Sequence, residues 1–149
     1  MLKSALLVTS ILLVAACGRT VATSSQTQTQ LAPADAFQCV MREFDSLGFR
    51  RTMFDKEELR TSARKVNPSI TISNTQFRQG LDQLDVQVSP AAAGTDLSVA
   101  ASTVAEFFGQ NGQSFSPLST SAEARQAAAT LAQRCGGPDS GSRAVAPAR

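Results

Sequence analysis

Histidine, tryptophan and tyrosine do not occur in this chain of 149 residues. The first absence removes the commonest general base and the commonest metal ligand; the other two remove most of the side chains that stack on sugars. Cysteine is scarce, at Cys17, Cys39 and Cys135 alone, too few for a zinc set when histidine is missing. No metal and no cofactor is therefore expected. Charge excess is also lacking: Lys and Arg number 14 against 12 Asp and Glu, a net +2, which points away from nucleic acid as a partner. No glycine-rich phosphate cradle is present, since the one glycine pair, Gly136-Gly137, follows a helical pattern instead of preceding one. The longest apolar run, from Ala5 to Val14, is broken by Thr9 and Ser10. It falls short of the about 20 apolar residues that a spanning helix requires.

What is there begins with that run. Lys3 stands before it and the small residues Ala15 and Ala16 close it, the three-part layout of an export signal. The stretch Leu13-Val14-Ala15-Ala16-Cys17 resembles the lipobox that ends the signal peptide of bacterial lipoproteins. The resemblance covers residues 1–17 and implies removal of residues 1–16, a diacylglyceryl thioether on Cys17 and, in many species, a further acyl chain such as palmitate on its amino group. At about 0.8 kcal/mol per buried CH₂, two or three chains hold a protein stably where one is marginal. Gly18 is not the aspartate that retains such proteins in the inner membrane of enteric bacteria, so the resemblance implies an outer-membrane address in the cell envelope, facing the periplasm. Val14-Ala15-Ala16 would also serve an ordinary secretory cleavage, which would release a soluble protein.

Residues 17–32 are nearly all Ser, Thr, Gln, Ala and Val after the cysteine. Such a composition buries too little apolar area to offset ordering entropy, so a flexible tether is expected, reaching on the order of 20 Å. Residues 33–135 form one small domain and residues 136–149, with Pro138, Gly141 and Pro147, a disordered tail. With Cys17 set aside for lipid, Cys39 and Cys135 remain as a pair in an oxidising compartment, and a disulfide between them is predicted. Closing a loop of roughly a hundred residues contributes about 4.7 kcal/mol in the chain-entropy account.

Within the domain, Phe37, Val40, Met41, Phe44 and Leu47 share one stripe of a helix over 33–47 that Gly48 stops. Residues 49–54 and 58–66 read as a strand pair and 67–79 as a loop, with the basic residues Arg50, Arg51, Arg60, Arg64 and Lys65 taken as a solvated face. Leu84, Val86 and Val88 alternate with Asp85 and Gln87, and the alternation resumes over 95–108 beyond a hairpin loop at 89–94. Residues 109–114 read as a linker. Thr120 with Glu123 three residues on has the capping-box pattern, opening a helix with an alanine stripe that ends at Gly136. The order is α-β-β-β-β-α: an α+β two-layer sandwich, a four-stranded, mainly antiparallel sheet with both helices on one face.

Asp82, Asp85 and Asp96 could be drawn as an acid–base pair, but nothing in their spacing selects one, and no catalytic residue is assigned. The leading expectation is a non-enzymatic lipoprotein that meets the membrane through Cys17 and binds a protein or envelope component on a sheet edge or the uncovered sheet face. A second reading places a lipid or other apolar ligand in a cavity between sheet and helices, against Phe37, Phe44 and Phe107.

Overall fold

The alternation read over residues 84–108 belongs to a long hairpin around which the other elements are arranged. The computed structural model describes residues 22–137 and 143–144. Its elements in order are β1 (Ala22–Thr29), α1 (Pro33–Ser46), β2 (Arg50–Asp55), β3 (Arg60–Asn67), β4 (Phe77–Ala91), β5 (Gly94–Gly109), β6 (Gly112–Leu118), α2 (Ala122–Gly136) and the two-residue β7 (Arg143–Ala144). The signal segment and Cys17 lie outside the described residues.

The chain is α+β, and every strand pairing is antiparallel. The sheet has seven strands, not four, in the order β2-β3-β4-β5-β1-β7, with β6 also on β5. β5 is 16 residues long, and its outer edge is divided: β1 pairs with Thr95 to Ser102, and β6 with Thr103 to Gly109. The two strands therefore meet end to end, Ala22 beside Ser102 and Leu118 beside Thr103.

β1 corrects the tether. Its side chains form no apolar core, yet eight residues complete the backbone ladder of a bare strand edge, and every second one, Ser25, Thr27 and Thr29, turns toward the helices. Thr27 and Thr29 are buried. Sheet pairing supplies the ordering energy that the side chains alone could not. The folded unit thus already includes Ala22–Thr29, ahead of residue 33. β6 likewise occupies part of the expected linker; it carries Pro117, which an edge strand tolerates. β4 starts at Phe77, inside the expected loop. In the expected tail, Arg143 and Ala144 pair with Gln26 and Ser25, and the remaining tail residues from 138 onward lie outside the described residues.

One face of the sheet is covered. Leu84, Val86 and Val88 of β4 and Leu97, Val99 and Ala101 of β5 point at the helices, where they meet Ala36, Phe37, Val40 and Phe44 of α1 and Ala124, Ala128, Leu131 and Ala132 of α2 in a single core. The alanine stripe of α2 lets it lie close to the sheet. α1 ends in a Schellman motif: Gly48 has φ +76°, Gly48 N–H donates to the Asp45 carbonyl and Phe49 N–H to the Phe44 carbonyl, and the Phe44 and Phe49 rings sit 6.5 Å apart. α2 is capped one residue later than its pattern suggests. The Ser121 hydroxyl accepts from Ala124 N–H at 2.9 Å, while Thr120 turns its hydroxyl to the Ala101 carbonyl. The loop after β3 is pinned by Ile70, which packs against Gly80 so closely that a Cβ there would lie 2.5 Å from the Cβ of Ile70.

Candidate interaction surface

The predicted site residues separate into groups that do not share a site. The Sγ atoms of Cys39 and Cys135 are 2.01 Å apart, disulfide distance, with Cα atoms at 5.7 Å. The pair joins α1 to the last turn of α2. Arg134, next to Cys135, bonds Glu43 of α1 at 2.8 Å across the same seam. Cys39 reaches this seam from the flank of the apolar stripe, as its position on the helix requires.

Asp82, Asp85 and Asp96 are not brought together. Asp82 is buried on the helix side, where its carboxylate accepts from Asn67 Nδ2 at 2.9 Å, Thr103 Oγ1 at 2.7 Å and Ser121 Oγ at 2.9 Å. Ser121 N–H in turn donates to Thr103 Oγ1, so this carboxylate ties the β3 end, β5 and the start of α2 into one network. Asp85 lies on the opposite face of β4, accepting from Ser62 Oγ and Gln83 Nε2. Asp96 pairs with Ser89 near the other end of the sheet.

Nor do the three phenylalanines line one cavity. Phe37 and Phe44 are packed within the core, whereas Phe107 stands outside it, edge-on to Phe77 at 5.9 Å. A cleft of about 380 Å³ opens instead at the mouth between sheet and helices, with Leu47, Phe49 and Ala127 as apolar wall and Lys65, Asp82 and Glu123 as polar groups. Among the described residues no cluster of three or more His, Cys, Asp or Glu could hold a metal ion.

Among the described residues, the exposed surfaces include the outer edges of β2 and of β6 and the sheet face turned away from the helices. β2 is the last strand on its side, and every residue from Arg50 to Phe54 is exposed. Met53 and Phe54 are large apolar residues on that edge; Phe54 rests one side of its ring on Phe37 at 5.6 Å between centroids. A register shift between Arg51 and Met53 breaks the regularity of the strand. It puts Arg50 and Met53 on the uncovered face, opposite Arg64 and Ser62, and Arg51 and Phe54 on the helix side, opposite Ala63 and Thr61.

On the uncovered face the basic residues are less evenly solvated than their sequence suggests. Arg50 lies directly opposite Arg64. The Arg64 guanidinium is held by Gln83 Oε1 at 2.9 Å and lies 4.9 Å over the Phe115 ring, and Gln83 is held in turn by Asp85 at 2.8 Å. Glu106, also on this face, is buried, its oxygens accepting from Gln79 and Gln113. Beside these groups runs a groove of about 630 Å³ lined by Arg50, Arg64, Lys65, Val66, Gln79 and Leu81. The ion pairs among the described residues, Arg60 with Glu58 and Arg134 with Glu43, involve none of the groove cations. Sequence reading registered the basic run but not this arrangement, which depends on the β2–β3 register.

No protein-family model matches the chain, and no curated protein is significantly similar to it.

Proposed function

We propose that the protein is a non-enzymatic envelope lipoprotein, anchored through acyl chains on Cys17 and facing the periplasm from the outer membrane, whose domain binds a partner protein along the free edge of β2. The observation that carries the reading is that edge: a last strand, exposed along its length, offering backbone groups for strand addition together with Met53 and Phe54. Its flanking arginines and its register shift are features that keep edges from pairing indiscriminately, so a matching partner segment must accommodate both. The seam at Cys39 and Cys135 suits an oxidising compartment, and the lipobox-like stretch at residues 13–17 supplies the anchor.

The test is intact mass of protein taken from its own host membrane, with a photoreactive residue at Met53 in one preparation and at Gln87, on the interior strand β4, in another. The expected spectrum starts at Cys17 with two or three acyl chains, and irradiation adds one discrete partner mass from position 53 and none from 87. A mass without acyl groups removes the anchor; equal adducts from both positions, or none, remove the β2 edge.

A further inference from the structure

The row of residues that carries the paired arginines also carries Ala22, the first described residue of β1. Ala22 pairs with Ser102, Ser102 with Gln83, Gln83 with Arg64, and Arg64 with Arg50. With neighbouring strands about 4.8 Å apart, Arg64 lies roughly 14 Å and Arg50 roughly 19 Å from Ala22 across the sheet. From Thr103 onward the edge of β5 that carries β1 is occupied by β6. Five peptide units separate Ala22 from Cys17, a reach of at most about 18 Å. A lipid on Cys17 would therefore keep Ala22, and with it this end of the sheet, near the bilayer.

The chemistry of that end suits a bilayer surface. Arg50, Arg64 and Arg78 lie at or beyond the row, and no described ion pair engages any of them; Lys65, at the same end, turns its ammonium to the helix side and donates to the Leu47 carbonyl at 2.8 Å. Like charges directly opposite one another, as at Arg50 and Arg64, oppose folding, and an anion between them would relieve the repulsion. Val66, Phe115 and Phe108, at 50%, 40% and 59% exposure, lie at the same end. Phe115 backs the Arg64 guanidinium, and Phe108 stands one residue before the turn between β5 and β6. Exposed carboxylates in this region, Asp45 and Glu123, belong to the helix layer. The opposite end of the sheet carries Asp55, Glu57, Glu58 and Asp96 with Lys56 and Arg60, an acidic set of four carboxylates against two cations.

We infer that the groove at Arg50 and Arg64 seats the anionic phosphate headgroups of the membrane to which the protein is anchored, with Val66, Phe108 and Phe115 entering the interfacial layer. The inference rests on the proposed lipid at Cys17 for its geometry and on the groove for its chemistry. Charge attraction to an anionic surface and shallow apolar insertion reinforce one another. Together they fix the domain's orientation, leaving the middle of β2 and the far end of the sheet turned toward the periplasm.

The test uses the chain from residue 17 to 149 with Cys17→Ser, oxidised across Cys39 and Cys135, so that no acyl chain contributes. It is sedimented with vesicles of phosphatidylcholine, alone or with phosphatidylglycerol. Binding to the mixed vesicles only is expected, weakening as salt is raised. Arg50→Gln and Arg64→Gln each lower it about five-fold, the effect of one surface cation. Lys56→Gln with Arg60→Gln, which removes twice the charge of either groove variant at the far end, changes it less than two-fold. Unchanged or raised thermal midpoints of R50Q and R64Q show that the fold is retained. Equal binding to both vesicle types, an equal loss in the far-end variant, absence of binding, or displacement by millimolar inorganic phosphate would each overturn the inference, the last by showing a site for free phosphate. The anchor is read separately by the mass of the host protein: missing acyl chains with retained phosphatidylglycerol binding would remove the anchor and leave the groove, and the reverse result would remove the groove alone.

Discussion

At the scale of single residues, Asp82 is the most connected polar group on the helix side. Its three hydrogen bonds come from three different segments, and one donor, Ser121, is itself the cap of α2. Replacing Asp82 with Ala leaves those donors unmatched in a buried place, where hydrogen bonds to a charged group are worth about 1.5–3 kcal/mol each and do not add fully. Asp82→Ala should lower unfolding stability by about 3 kcal/mol, measured as a drop in urea midpoint at constant slope, and Asp82→Asn should lose less because an acceptor oxygen remains. A loss below 0.5 kcal/mol for both would show that the carboxylate is not structural and would return attention to the cleft it borders. This role was not legible in the chain, where Asp82 is one of three acids near strand ends. The strand register decides that Asp82 faces inward and Asp85 outward, and a shift of one residue would exchange them. The stop of α1 was legible, because only a residue comfortable at positive φ suits that place and Gly48 supplies it. The cap of α2 was legible to within one position: Ser119-Thr120-Ser121 offers three hydroxyls in a row, and the carbonyl of Ala101 draws Thr120 away.

At the scale of elements, the sequence signals were strong where side chains decide and weak where backbone decides. β4 and β5 alternate because their two faces meet different surroundings. β1 alternates too, Thr against Gln, but neither type is apolar, so its period of two carries little hydrophobic signal. Its position is set by a vacancy on β5 that only the assembled sheet reveals. Hydrogen exchange distinguishes strand from tether: alternate amides over Ala22–Thr29 should exchange at least a hundredfold more slowly than the same residues in an unstructured peptide, because a paired amide exchanges only on opening. Unprotected rates throughout would place the start of the folded unit back at α1. β6 was hidden by its glycine, serines and proline, which an edge strand accommodates and an interior one does not.

For the whole molecule, the largest single constraint is the bond between Cys39 and Cys135, residues 96 apart in sequence. It encloses the second half of α1, β2 to β6 and almost all of α2, so its removal loosens the unfolded chain over most of the domain. Cys39→Ser with Cys135→Ser should cost about 2–5 kcal/mol, read as a lower urea midpoint. A midpoint within 0.3 M of the parent would show that the core alone suffices. The pairing was legible from cysteine number and the expected compartment, without geometry. The distribution of charge over the molecule was not. A count of +2 averages over a cationic end and an acidic one, and only the row from Ala22 to Arg50 shows that they are different places.

The pairing of β1 along one edge of β5 also has a mechanical meaning. A pull directed along the axis of β1 would slide the strand past β5 and load the ladder from Ala22 to Thr29 together. A pull across the strand would open the same bonds one at a time. An axial pull therefore sets β1 in shear, the orientation in which a short strand resists force best, and α1, joined to β1 through residues 30–32 and to α2 through Cys39, takes up the load behind it.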